Sequence, residues 1–246
     1  MFLRPLYRRP VTDTVTDESI IFITWAFYIT IYPKFDKTPS LNRKDFGNTA
    51  LFFTPDGKVV GQYLKIHLVP FSEEVPYRDI IPWPKFIVPK GKRSYQIPGK
   101  EFSLFGIDGT QFGVLICWEI VFPELFRKFV KNGANFMINV TNEGWFGKTA
   151  APYQMAAVNV FRAVENRIAV ARAANTGISC FIDPYGRITD RVRSNNTDIF
   201  VSGYLTREIP LTYERTFYTI HGDLFVYLVL SIAILVLALT VFRPRN

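Results

Sequence analysis

Apolar residues come in short runs along most of the chain and in one long run near its end. The stretch "NTALFFTPDGKVVGQYLK", residues 48 to 65, holds two apolar segments around Pro55-Asp56-Gly57, which predicts a hairpin. "FSLFGIDGTQFGVLIC" uses Asp108-Gly109 in the same way. After it the pattern predicts a helix from about Pro123 to Asn132, the strand "ANFMINVT", a helix from about Pro152 to Asn166 and the strand "RIAVARAA". Helices alternating with strands predict a layered α/β core. "GISCFIDPYGRITDRV" adds a last hairpin around Pro184-Tyr185-Gly186. Nearer the start, "IIFITWAFYITIYP", residues 20 to 33, is β-branched and aromatic and ends at Pro33, which fits a buried strand and turn. A signal anchor is its rival, since Arg4, Arg8 and Arg9 precede it, but Asp13, Asp17 and Glu18 intervene. Residues 1 to 19 carry no periodicity and read as a linker. Between 77 and 99 the prolines Pro82, Pro84, Pro89 and Pro98, with Pro76 just before, predict an irregular loop of the kind that often serves function.

The long run differs in kind. "LFVYLVLSIAILVLALTVF", residues 224 to 242, has no charge, and as a helix it is roughly 28 Å long, the thickness of a bilayer core. A buried core helix is the alternative, but no polar face interrupts the run. Arg243 and Arg245 follow it at once, whereas Arg207 and Arg215 on the other side are diluted by Glu208 and Glu214, so the positive-inside rule leans towards a cytoplasmic C-terminus. The expected division is a linker or remnant segment over 1–19, one domain over 20–222 and a transmembrane helix over 223–243.

Composition narrows the class. The 246 residues, 48% hydrophobic and 16% aromatic, suffice for one α/β domain with a substantial core. The net charge of +8 is scattered and accompanied by no nucleic-acid-binding signature, so no nucleic-acid partner is expected. Cys117 and Cys180 are the only cysteines, which excludes a disulfide scaffold and leaves each thiol to be explained singly.

Cys117 sits in "GVLICWEIVFPEL", at the C-terminal end of a strand and just before a helix, where α/β folds place their active sites. The positive end of the helix near Pro123 favours a thiolate there. A structural buried cysteine is the plainer reading of position alone. Lys65, in "GQYLKIHLVPFSEEVP", ends a strand whose apolar neighbours argue for burial, and a buried lysine is costly unless paired or used. His67 beside it reads as a structural histidine, and Glu73 and Glu119 are the carboxylates near the two motifs.

Taken in order, "GQYLKIHLVPFSEEVP", "GVLICWEIVFPEL", "NVTNEGWFG", "AAPYQMAA", "ARAANTGISCFIDPYGRI" and "RTFYTIHGDLF" resemble the successive motifs of the bacterial apolipoprotein N-acyltransferase family, membrane members of the nitrilase (carbon-nitrogen hydrolase) superfamily. The resemblance covers about residues 47 to 242. It implies an α/β nitrilase-like α-β-β-α sandwich followed by the C-terminal transmembrane helix. It implies transfer of an acyl chain from a phospholipid donor to the α-amino group of an apolipoprotein's lipid-modified N-terminal cysteine, with no cofactor and no metal. The family's nucleophile falls on Cys117, which would carry a thioester, and its lysine on Lys65, which would stabilise the oxyanion. The resemblance implies a Glu-Lys-Cys triad; Glu73 and Glu119 match two further glutamates that support it, and Trp145 matches an aromatic residue of the lipid-binding region. A core or interfacial tryptophan is an equal reading of Trp145. The implied setting is a monomer in the bacterial inner membrane with its catalytic domain facing the periplasm.

Two departures stand beside the resemblance. The family's general-base glutamate follows an apolar strand in a Trp-Pro-Glu segment, where this chain has Trp25, Ala26 and Phe27. Glu18 lies before that strand, at the wrong end. Loss of a general base costs about a hundredfold to ten-thousandfold in rate, so impaired activity is the expectation. The family's N-terminal membrane helices also have no counterpart, which suggests an N-terminally truncated member. A nitrilase-type amidase of soluble substrates and a non-catalytic membrane-anchored binding module are the competing readings.

Overall fold

The computed structural model describes residues 47–53, 58–77, 80–84, 87 and 96–241, and the backbone of 2–6. The strand expected over 20–33, with Trp25, Ala26 and Phe27, and the turn at 55–57 lie outside the described residues. The elements in chain order are β1 (Phe2–Leu6), β2 (Thr49–Phe53), β3 (Val59–Leu64), β4 (Leu104–Ile107), β5 (Thr110–Ile116), α1 (Pro123–Lys131), β6 (Phe136–Thr141), α2 (Ala151–Asn166), β7 (Ala169–Ala174), β8 (Cys180–Ile182), β9 (Ile188–Arg191), β10 (Thr206–Pro210), α3 (Phe217–His221) and α4 (Leu224–Val241).

One six-stranded sheet runs in the order β4-β5-β6-β7-β8-β9. Its centre is parallel, β5 beside β6 beside β7, because α1 and α2 supply the crossovers that parallel neighbours need. The outer pairs are antiparallel hairpins. The β4–β5 turn has positive φ at both Asp108 and Gly109, the geometry that suits a tight hairpin. Every residue of β6 is buried, as expected for a strand covered on both faces.

The two faces carry different partners. Gly113 faces the helix layer, with Phe129 of α1 and Met137 crowding the space a Cβ would fill. Its neighbour Phe112 points the other way, where Phe52 of β2 meets it edge-on at 5.5 Å and Phe136 stacks on it at 5.0 Å. The antiparallel pair β2–β3 thus packs on the face opposite α1. The expected α/β layering holds, with one contiguous hydrophobic cluster between the layers.

Two features differ from the sequence-based expectation. Phe2–Leu6 lies within the segment read as a linker, yet it forms β1, paired in parallel with β10. Such a strand is defined by a partner at the far end of the chain and leaves no local period. The short α3 is also unforeseen; its Thr216 N-cap accepts from Thr219 N at 3.0 Å.

The apolar run forms α4, with a mean hydropathy of 2.9 and none of it buried against the rest of the protein. A core helix would be covered, so by length and composition α4 is a candidate membrane span.

Candidate active site

The buried strand β5 delivers Cys117 to the C-terminal edge of the parallel sheet. There the chain turns through a 3-10 segment, Cys117–Val121, before Pro123 opens α1. Cys117 itself has φ of 58°, the left-handed region that residues with a Cβ seldom occupy. Such a residue persists only where its surroundings hold it, and these cluster at functional sites. The thiol is half-buried, with Sγ 4.0 Å from the carbonyl oxygen of Asn142.

Lys65 follows β3 and is fully buried, as its apolar neighbours foretold. Its Nζ donates to both oxygens of Glu73, at 2.9 and 2.7 Å. Glu73 is held in turn by Asn48 Nδ2 at 2.6 Å and by the backbone N–H of Val69 at 2.8 Å. A buried ammonium with two charge-assisted contacts to one carboxylate has a single orientation.

Glu119 ties the two motifs together. Its Oε1 accepts from Tyr63 OH at 2.8 Å and from the backbone N–H groups of Ile66 at 2.7 Å and His67 at 3.0 Å, the two residues after Lys65. Its Oε2 accepts from Ile116 N at 2.8 Å, the residue before Cys117. One buried carboxylate therefore joins the lysine segment to the cysteine turn. Burial pushes the Glu119 carboxyl above the usual range, against the pull of these hydrogen bonds. His67 is stacked on Phe122 at 4.3 Å, and burial lowers its pKa, which suits the structural reading.

Behind the turn lies a polar network that the sequence-based reading missed. Asn139 of β6 is fully buried, and its Nδ2 donates to the carbonyls of Leu115 at 3.2 Å and Cys117 at 3.3 Å. Its Oδ1 accepts from Asn159 Nδ2 at 3.3 Å and from Arg172 Nη1 at 3.4 Å. Arg172, buried in β7, also forms an ion pair with Glu143. Burial raises the Glu143 carboxyl, with Arg172 opposing the shift. Asn175 accepts from Glu143 N and donates to Asn142 Oδ1, fixing the loop that leads to Trp145. The available signal was an Asn and an Arg inside strands otherwise apolar, "FMINVT" and "AVARAA".

Trp145 sits on the short 3-10 turn Gly144–Phe146 and is 80% exposed. Cys180 is buried and its thiol is pushed up to about 11, chiefly by burial. Among the described residues no group of three or more His, Cys, Asp or Glu is placed to hold a metal ion. Around Glu119 the structure thus brings together the turn of a half-buried thiol and the segment of an oriented buried cation, groups of the kind that covalent acyl chemistry uses.

The carbon-nitrogen hydrolase family profile matches residues 24–216. The chain is 38% identical to an apolipoprotein N-acyltransferase of Geobacter metallireducens over 87% of this chain and 39% of that one. It is 36% identical to that of Chlorobaculum tepidum, over 80% and 37%, and 37% identical to that of Thermotoga maritima, over 80% and 37%. The chain therefore spans less than two fifths of the length of these relatives. Among solved structures, an amidase from Nesterenkonia sp. AN1 is similar, with 20% identity over 76% of this chain and 64% of that one and a TM-score of 0.48.

Proposed function

Because the chain belongs to the carbon-nitrogen hydrolase family, we propose that it is an N-acyltransferase that moves a fatty acyl chain from a phospholipid to the N-terminal cysteine amine of apolipoproteins. The observation that carries the reading is Glu119, whose four hydrogen bonds bind the segment of Lys65 to the turn of Cys117. In the proposed reaction the Cys117 thiolate attacks the ester carbonyl of the phospholipid. Lys65 stabilises the oxyanion of the tetrahedral intermediate, its ammonium fixed by Glu73. The carbon–oxygen bond breaks, the lysophospholipid leaves as its alcohol after taking a proton, and a thioester remains on Cys117. The α-amine of the acceptor then attacks that thioester, gives up a proton and expels the thiolate, leaving an amide. A thiolate serves both steps because it is a strong nucleophile and a good leaving group.

In this reading Glu119 is a positioning residue, since all its hydrogen bonds go to the protein framework. Trp145, exposed and next to the ordered loop after β6, is proposed to contact the acyl chain. The α4 helix is proposed to tether a domain over 20–222 to the bacterial inner membrane, with the domain on the periplasmic side, where it takes its donor from the bilayer. The non-catalytic reading is favoured by one observation, that Phe27 stands where the family's Trp-Pro-Glu segment has its glutamate.

The test is acyl-enzyme formation in detergent with a phospholipid donor. The expected result is a hydroxylamine-sensitive mass increase on the Cys117 peptide, absent in Cys117→Ala. A chain that acquires no thioester would sink the acyltransferase reading in favour of the non-catalytic one.

A further inference from the structure

We propose that Asn139 is the positioning residue of the nucleophile, a buried amide that holds Cys117 in its left-handed conformation by gripping the backbone on both sides of Ile116. The inference rests on the reading of Cys117 as the reacting thiol, but it concerns how the fold presents that thiol rather than what it acylates.

The orientation of the amide follows from its neighbours. Arg172 can only donate, so the atom of Asn139 facing it at 3.4 Å must be the oxygen. The nitrogen then faces the carbonyls of Leu115 and Cys117, which can only accept. All four hydrogen-bonding positions of the amide are thus filled in a fully buried side chain. A reversed amide would set oxygen against two carbonyl oxygens and nitrogen against a guanidinium. The buried Arg172 therefore acts as a key that admits one orientation only, and its ion pair with Glu143 fixes the key.

Asn139 grips a strained position of the backbone. At φ of 58°, Cys117 leaves the extended geometry of β5 abruptly, and its own carbonyl is one of the two that the amide holds. A left-handed non-glycine residue costs about 1–3 kcal/mol and must be over-determined by its surroundings. Glu119 Oε2 holds Ile116 N from one side, while Asn139 holds the carbonyls on either side of that residue. Without the amide, the Cys117 peptide is free to rotate towards negative φ, which swings Sγ away from the loop of Asn142. A buried amide with all four hydrogen-bonding positions filled is also a costly thing to keep in a core unless it specifies a geometry.

The test uses the full chain in detergent, with Cys180→Ala as the reference background so that one thiol remains. Alkylation of Cys117 by iodoacetamide is followed from about pH 5 to about pH 10, and the plateau rate at high pH is read, where orientation and access alone set the rate. Asn139→Ala removes the amide; Asn139→Asp keeps its shape but loses the donor. Both are expected to lower the plateau by roughly tenfold or more while far-ultraviolet circular dichroism retains the fold. A plateau unchanged in the folded variants would overturn the proposal, as would a loss in Asn139→Ala alone, which would make Asn139 a packing residue. Unfolding of both variants would overturn it too, by making Asn139 a requirement of the fold. The readout needs no lipid: a chain that forms no thioester yet shows the plateau difference would refute the acyltransferase reading and leave the Asn139 assignment standing.

Discussion

Lys65 shows how one residue type in one place announces a site before any geometry is known. A lysine closing an apolar strand has to be paired or used, and the structure pairs it with Glu73 in a contact where Lys65 is fully buried and the glutamate nearly so. Removing one member of such a pair strands the other charge. Lys65→Met should therefore destabilise the chain by about 3–5 kcal/mol, read as a lowered thermal midpoint in detergent, and Lys65→Met with Glu73→Gln should recover part of that loss. If the single substitution leaves the midpoint unchanged, the pair is not the buried unit described above. The two cysteines diverge for an equally physical reason. Burial favours the neutral thiol of Cys180, whose pKa is raised from 9.0 to about 11 in the folded chain. A raised value means that its contribution to stability is complete below about pH 9 and is lost as pH climbs towards about 11. Cys180→Ala should accordingly shrink the loss of stability over that window. At neutral pH, brief alkylation of the native chain should label Cys117 and spare Cys180 by peptide mass.

At the scale of elements, the junction between α3 and α4 settles how the apolar helix is joined to the domain. Thr216 and Thr219 bond to Glu165 O and Asn166 Oδ1 at the end of α2, and Arg127 of α1 donates to Thr219 O at 2.9 Å. Gly222 follows with φ of 65°, and a Cβ there would come within 2.9 Å of the Arg127 guanidinium. Gly222→Ala combines backbone strain with that clash. It is expected to cost about 1–2 kcal/mol and to make the α3–α4 link more sensitive to proteolysis, with peptide mapping as the readout. Equal cleavage rates in both chains would mean that the junction is not held as described. Elements such as α1, α2, β6 and β7 were legible because each carries a local signal, a helical period in the helices and a short apolar run in the strands. β1 and β10 were not, since each exists as a strand only through its pairing with the other.

For the whole molecule, the governing contrast is between a domain with a contiguous core and a helix that the domain does not cover. A charge at the middle of such a helix is penalised only if the helix enters lipid. Ile232→Arg should cost about 2.5–3.5 kcal/mol of insertion and shift the chain from the alkali-resistant membrane fraction towards the soluble one. An unchanged distribution would show that α4 is not the element that holds the chain to membranes.

The sequence by itself determined the alternation of strands and helices, the apolar terminal helix and the special standing of Cys117 and Lys65, because period, length and the cost of burying a charge are local properties. It also carried the ordered motifs by which Glu73, Glu119 and Trp145 were singled out. Only the tertiary structure decided what each does with its neighbours. Glu119 became the tie between two segments, His67 a stacked ring, and Asn139 and Arg172 the buried frame behind the Cys117 turn. Those are contacts between residues far apart in the chain, and the direction of a side chain into a network depends on strand register and on the faces that the layers leave for it.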